Sequence, residues 1–436
     1  MTDTWRRRDI AHLWHPYTEI TEFEQSAFPV IERASGSRLY STSGEALLDG
    51  ISSWWCVNLG HGHPELVKAI HEQAGRLQHT LLGGISHPPA IELAEQLTRL
   101  APPGLHHVMF ASDGASAVEA ALKIALQYWH NQGESGRTRF ISLQGGYHGD
   151  TLGTIGVGYV DSFHRPFRSA LTPALFAAAP LCTRCIQSAG SPCDCFDSMA
   201  ALVRANHAEC AAVIVEPLCQ AAAGIRIYSE DYLRRLRALC DEYRLPLIVD
   251  EIAVGFGRTG SLFASQRAGI APDIMTVGKG LTGGMLPMSA TLVSGPIYDS
   301  FRARGEQKRT FFHGHTFCGN PLACAAALAA LPLYEEVLAS AAFPQRVAEL
   351  EQGMKKITSV LECASLRTLG MIAAIEIADE AGGAGRARRI GQRAQELGLL
   401  IRPLGNIIYL WPPLNVSSAD LEMMLALLDR ATRETE

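Results

Sequence analysis

Short apolar runs alternate with amphipathic stretches through the middle of the chain. "HHVMFAS" (His106–Ser112), "RFISLQ" (Arg139–Gln144), "AAVIVEP" (Ala211–Pro217), "LPLIVDE" (Leu245–Glu251) and "PDIMTVG" (Pro272–Gly278) carry few polar positions, which predicts strands buried on both faces. Between them, "SAVEAALKIALQYWH" (Ser116–His130) and "EDYLRRLRALCDEYR" (Glu230–Arg244) repeat apolar residues at helical spacing. Buried strands separated by helices predict an α/β fold with a mostly parallel central sheet covered on both faces. After Glu335 the texture changes. "RVAELEQGMKKITSVL" and "GRARRIGQRAQELG" are charged amphipathic helices, while "MIAAIEIA" and "NIIYLWPP" read as strands. The expected organisation is a large domain over 61–335 and a smaller α+β domain over 336–436. Residues 1–60, rich in turns and short strands, have no core of their own and are expected to pack with the small domain.

Composition narrows the function classes. The chain has 436 residues, 47% of them hydrophobic, enough to bury a large core. Its formal net charge of −6 is mild and gives no reason to expect nucleic acid or an acidic membrane surface as partner. The basic start "MTDTWRRRDIAHLWHPYT" has no apolar stretch behind its arginines, so no secretory signal is expected. The apolar run Asn320–Tyr334 is too short for a bilayer and reads as a buried helix. A cytoplasmic protein is the expectation. Eleven cysteines are then most simply reduced thiols. Cys182, Cys185, Cys193 and Cys195 form a C-x-x-C and C-x-C cluster able to offer four thiolates to zinc. The short gap and the tight second pair favour an unliganded, exposed loop, and no metal is expected.

In open α/β sheets, ligands bind at the carboxyl ends of the strands. There the sequence places Glu216, Asp250 with Glu251, and Lys279 of "TVGKGLTGGM"; "FASDGAS" ends in a turn that opens a helix. A carboxylate, a lysine and a helix N-terminus on one sheet edge match a cofactor with a cationic ring nitrogen, a carbonyl and a phosphate. Pyridoxal 5'-phosphate has all three. A neutral lysine forms a Schiff base with the aldehyde, and its glycine neighbours are expected to leave room for a planar ring. Aspartate against the ring nitrogen favours the protonated form. The phosphate suits free N–H groups at Gly114 and Ala115. Each residue alone has a bland reading: Lys279 a solvated turn, Asp250 a cap, and Ser116 to Glu119 a capping box. Their joint placement favours the cofactor. "GFGRTG" (Gly255–Gly260) matches a dinucleotide fingerprint and would make the chain a nicotinamide dehydrogenase, but the segment after it is a poor helix. An irregular loop with Arg258 facing an anion is expected instead.

"LIVDEI", "GFGRTG" and, about thirty residues on, "GKGLTGG" together resemble the class III (ω-type) aminotransferases of pyridoxal-phosphate fold type I. "LWHPYT", "DGISSWWCVNLGHGHP", "GGYHGDTLG", "HGHTFCGNPLACAAA" and "IRPLGNIIYLWPP" extend the likeness over nearly the whole chain. These segments resemble the branch that uses S-adenosylmethionine as donor and 8-amino-7-oxononanoate as acceptor. The resemblance implies a homodimer with shared active sites. It implies that Lys279 holds the cofactor, Asp250 pairs with the ring nitrogen, Tyr147 stacks on the ring and Asp150 supports it. Gly114 and Ala115 then bind the phosphate, reached from the other subunit by His315 and Thr316. Gly314, Tyr17, Trp54, Trp55, Arg402 and Tyr409 line the substrate pocket. Arg402 suits a carboxylate. If the two tryptophans lie on a strand, only one faces the pocket. Asp113, Val254 and His315 depart from the family pattern, and Asp113 is unfavourable beside a phosphate unless turned away. Tyr17 and the tryptophan pair favour S-adenosylmethionine over lysine as donor. A different ω-aminotransferase and a zinc-bound interaction protein are the remaining alternatives.

Overall fold

The computed structural model describes residues 2–180, 194–361, 364–378 and 382–435. Two helices, Thr2–His12 and Ile20–Gln25, open the chain where the sequence predicts only turns and strands. Strands β1 (Ile31–Ser35), β2 (Arg38–Ser41) and β3 (Ala46–Asp49) follow as an antiparallel meander.

The central sheet takes β4 (Leu105–Ala111), β5 (Arg139–Leu143), β6 (Leu175–Ala177) and β7 (Cys210–Val215). After a two-stranded ribbon, β8 (Cys219–Gln220) and β9 (Arg226–Ile227), it takes β10 (Leu247–Asp250), β11 (Ile274–Val277) and β12 (Ser289–Ser294). The strand order is β4-β12-β11-β10-β7-β5-β6. The sheet is mostly parallel, as the apolar runs predict, but β12 runs antiparallel to both β11 and β4. Its "SATLVS" is too polar to read as a buried strand. The hydroxyls are nonetheless satisfied, because Ser289 Oγ donates to the Asp113 carbonyl and Thr291 Oγ1 to the Ala117 carbonyl. β7, β10 and β11 are buried at every position. At about 1.5–3 kcal/mol for each buried Val, Leu or Ile, these strands make a stiff base for whatever follows their ends.

The C-terminal part builds β13 (Ala364–Leu369), β14 (Ile372–Ile377), β15 (Leu399–Leu400) and β16 (Ile407–Leu410). β13, β14 and β16 form one antiparallel sheet, while β15 pairs in parallel with β3. The chain's beginning is thus hydrogen-bonded into its C-terminal part. The apolar run near residue 320 is the helix Pro321–Ala339, which among the described residues is long and apolar enough to cross a membrane. It packs instead on the helices Pro64–Ala74 and Pro88–Leu100, and its buried Tyr334 hydroxyl donates to the Gly280 carbonyl at 2.5 Å.

Candidate active site

β7, β10 and β11 end against one cavity of about 500 Å³, lined by Glu216, Asp250 and Lys279 together with Gly114, Ala115 and Tyr147. The helix Gly114–Gln132 starts at this cavity. Its cap is Asp113, which accepts from Ser116 N and Ser116 Oγ, both at 2.9 Å. The capping box that Ser116–Glu119 offered as a bland reading does not form, and Glu119 accepts from Thr151 Oγ1 instead. Asp113 is folded back on its own helix, although it still borders the cavity beside Gly114 and Ala115.

Asp250 is 4% exposed. Its Oδ2 lies 2.8 Å from His148 Nδ1, and its Oδ1 accepts from Ile252 N and Thr276 Oγ1, each at 3.1 Å. His148 is buried and its Nε2 has no partner among the described residues. Sequence reasoning passed over this histidine, although it stands inside "GGYHGD". Glu216 accepts from Tyr147 N and Ala221 N, both at 2.9 Å, and so fixes the turn that carries Tyr147. Burial pushes the Glu216 carboxyl up to about 7, against the pull of His148 and of these two N–H groups.

Lys279 sits just past β11 with φ of 40°. Non-glycine residues in that region cost on the order of 1–3 kcal/mol and cluster at functional sites. Burial holds its ammonium below the ordinary lysine range, while Asp250 and Glu216 act the other way. A larger share of neutral amine results, as a nucleophile or base requires. The two glycines beside it differ in what a side chain there would meet. A Cβ on Gly280 would stand 2.6 Å from Asn58 Nδ2, and one on Gly278 would meet Ile252 and Ser289. Gly280 is small so that the turn can pack on Asn58, whereas a Cβ on Gly278 would make ordinary contacts.

Lys279, Tyr147 and Trp55 also border a second, larger cavity of about 1170 Å³, with Tyr17, Trp54, Asp150, Arg402 and Tyr409 on its walls. Tyr17 OH donates to Asp150 Oδ1 and lies 3.4 Å from Tyr147 OH. Burial raises the Asp150 carboxyl, but bonds from His164, Tyr17 and Tyr147 outweigh it and hold the group below the usual range. Arg402 NH2 donates to the Tyr17 carbonyl at 2.8 Å, and its guanidinium lies 4.4 Å over Trp54. Trp55 Nε1 donates to Tyr409 OH at 3.3 Å, and Lys279 Nζ stands 5.6 Å over the Trp55 ring.

The two tryptophans are not on a strand. Ser52, Ser53, Trp54 and Trp55 all have positive φ, and this left-handed turn lets Trp54 (37% exposed) and Trp55 (4%) face the same cavity. Such a run needs support. Asp49 gives it by accepting from Ile51 N, Ser53 N and Ser53 Oγ, and by pairing with His61 Nε2 at 2.8 Å. Burial raises the Asp49 carboxyl, but His61 and Ser53 overcompensate and hold it low. This stabilisation is present above the ordinary carboxylate range and fades as pH falls through the depressed value. Asp49→Ala is expected to cost about 3 kcal/mol, as for a broken buried pair. A urea melt measures this, and an unchanged midpoint would show that the turn holds itself.

Some predicted residues lie elsewhere. Gly314, His315 and Thr316 line a separate cavity of about 1010 Å³, which does not include Lys279 or Asp250. Glu251 faces away from the site and caps the short helix Ala264–Ala268, accepting from Ala264 N at 2.9 Å and Ser265 N at 2.7 Å. Arg258 meets no anion among the described residues. Fully buried, it donates to the carbonyls of Met371 and Pro412 and to Asn58 Oδ1, at 3.2, 2.5 and 2.6 Å. "GFGRTG" thus opens no long helix and ties two parts of the fold together. Cys182, Cys185 and Cys193 lie outside the described residues. Cys195 belongs to the turn Asp194–Phe196.

The sequence profile of the class-III aminotransferases matches residues 21–432. Adenosylmethionine-8-amino-7-oxononanoate aminotransferase of Geobacter sulfurreducens is 38% identical over 446 residues, covering 99% of this chain and 97% of that protein. The crystal structure of the enzyme of that name from Methanocaldococcus jannaschii superposes with a TM-score of 0.92 at 34% identity, covering 99% of both chains. An amine transaminase from an uncultivated Pseudomonas species, solved in its PLP-bound form, gives 0.89 at 33% identity over 97% of this chain and 99% of its own.

Proposed function

The chain belongs to the class III aminotransferase family, and on that premise we propose that it transfers the amino group of S-adenosylmethionine to 8-amino-7-oxononanoate, giving 7,8-diaminononanoate in biotin synthesis. Members of this family depend on pyridoxal phosphate. One observation carries the reading: Lys279, Asp250 and the start of the Gly114–Gln132 helix meet on a single cavity. The residues fit the cofactor. Gly114 and Ala115 offer N–H groups at the positive end of a helix for the phosphate. Asp250, held by His148, Thr276 and a backbone N–H, would pair with the ring nitrogen. Tyr147, on the wall of the same cavity, would cover a ring face.

The cofactor, when bound, supplies the carbonyl that takes up the amine and the electron sink that stabilises the carbanion. The chain's residues do the rest. Lys279 Nζ, biased toward its neutral form, removes the proton from the carbon bearing the amine and returns it nearby. Asp250 keeps the ring nitrogen protonated. Tyr17 and Asp150 close one side of the larger cavity, and Trp54 and Trp55 give it flat walls for an adenine or an alkyl chain. Arg402 presents its fork to a carboxylate. The same residues serve two half-reactions, one for each substrate.

We also infer a homodimer in the cytoplasm. Gly314, His315 and Thr316 stand apart from Lys279 in their own cavity, flanked by Phe312 at 87% exposure, and a second copy would bring them to the phosphate. The test of the reaction is to supply holoenzyme and 8-amino-7-oxononanoate with either S-adenosylmethionine or lysine. The diamine is expected with S-adenosylmethionine. Diamine with lysine alone would replace the donor, and none with either would reject the acceptor.

A further inference from the structure

His164 is a buried histidine that the mechanism above leaves unused. It ends the short helix Asp161–His164, whose Ser162 and Phe163 border the larger cavity, and is itself 2% exposed. Its two ring nitrogens have different tasks. Nδ1 accepts from Val160 N at 3.1 Å, so in the neutral ring the proton sits on Nε2. Nε2 lies 3.7 Å from Asp150 Oδ1, just beyond a hydrogen bond, and has no other partner among the described residues. A buried N–H left in that state costs about 1–3 kcal/mol. The Asp150 side chain is half-exposed, and a movement of about 1 Å by its carboxylate closes the gap.

The same Asp150 oxygen accepts from Tyr17 OH, so one acceptor stands between His164 and Tyr17. Burial and the bond to Asp150 push the Tyr17 hydroxyl up to about 12, and it stays a donor. Tyr17 has φ of 52°, a strained region for a non-glycine residue that persists only where the surroundings hold it. The holds are few. Trp54 and Phe163 meet its ring edge-on at 5.7 and 5.4 Å, Arg402 donates to its carbonyl, and Asp150 takes its hydroxyl. Once Arg402 turns its fork to a substrate carboxylate, Asp150 is the polar hold that remains. We propose that His164 is a positioning residue: its Nε2–H aims Asp150 at Tyr17, and so keeps Tyr17 in place as a wall over bound substrate. The bland alternative is a histidine that only caps its own turn, and that role uses Nδ1 alone. The proposal rests on the functional reading above for its choice of substrate.

Two variants separate the two nitrogens. His164→Gln brings an amide NH2 to the depth of Nε2 and keeps a donor for Asp150. His164→Asn brings an oxygen to the depth of Nδ1 and keeps the acceptor for Val160 N. Holoenzyme of wild type, both variants, Asp150→Asn and the double variant Asp150→Asn with His164→Asn is mixed with S-adenosylmethionine, and the cofactor absorbance is followed. His164→Asn is expected to raise half-saturation about tenfold, the lower end for a hydrogen bond to a charged group, while the limiting rate changes less than about threefold. His164→Gln should stay within about threefold of wild type on both. In the Asp150→Asn background, His164→Asn should add less than about twofold, since the histidine acts through that carboxylate. Hydrogen exchange of the segment Leu13–Glu19, read by mass spectrometry without substrate, should quicken about fivefold in His164→Asn and Asp150→Asn and not in His164→Gln. An Asn variant as good as Gln, losses that add in the double variant, or exchange unchanged in His164→Asn would overturn the proposal. Failure of the functional reading looks different: wild type then gives no absorbance change with S-adenosylmethionine. The exchange comparison needs no substrate and still decides the role of His164 on the same proteins.

Discussion

Lys279→Ala is expected to lose turnover by about four orders of magnitude, the upper end for a positioned acid–base group. It should also lose the absorbance that marks lysine-bound cofactor. The reason is local. Lys279 follows a strand buried at every position, stands in a strained backbone region, and has its ammonium disfavoured by burial. Lys279→Arg separates charge from proton transfer. It keeps a cation of similar reach, but a guanidinium does not deprotonate near neutral pH and cannot act as base. Both variants should therefore be inactive. A small primary amine added to the alanine variant should restore part of the rate, by standing in for the missing nitrogen. Single-turnover mixing with S-adenosylmethionine reads all three. A Lys279→Ala enzyme within tenfold of wild type would remove the lysine from the chemistry.

The buried strands were legible because their apolar runs leave no other face for a helix to cover. Asp250 and Lys279 followed, since both stand at ends of such strands. β12 was not legible, because its serines and threonines bond to carbonyls of a neighbouring helix that a linear pattern does not show. The tryptophan turn was missed for a related reason. Asp49 supports the Ser52–Trp55 backbone through side-chain bonds, and local propensity gives no sign of four successive left-handed residues. Arg258 was misread because a buried cation satisfied by carbonyl oxygens looks, in sequence, like one awaiting an anion. His148 carried a signal in its position beside Tyr147, but its bond to Asp250 spans 102 residues of chain.

Asp250→Asn tests the electrostatic half of the mechanism apart from the covalent half. The substitution keeps the shape of the side chain and an oxygen able to accept from Ile252 N and Thr276 Oγ1; it removes the charge and puts an amide NH2 where Oδ2 faces His148 Nδ1. The lysine-bound absorbance should persist, since Lys279 is untouched. Turnover should fall by two to three orders of magnitude, corresponding to about 3–4 kcal/mol, the cost of taking one partner from a buried ion pair. Asp250→Glu restores the charge at the expense of geometry and should recover more than the amide does. That ordering, Glu above Asn, is what an electrostatic role requires; a purely structural role would favour the isosteric Asn. The His148 contact sharpens the test. His148→Ala leaves the carboxylate in place but frees its Oδ2, so it should lower activity less than Asp250→Asn does. Asp250→Asn within fivefold of wild type would mean that the ring nitrogen does not depend on this carboxylate, and that the strand end serves packing alone.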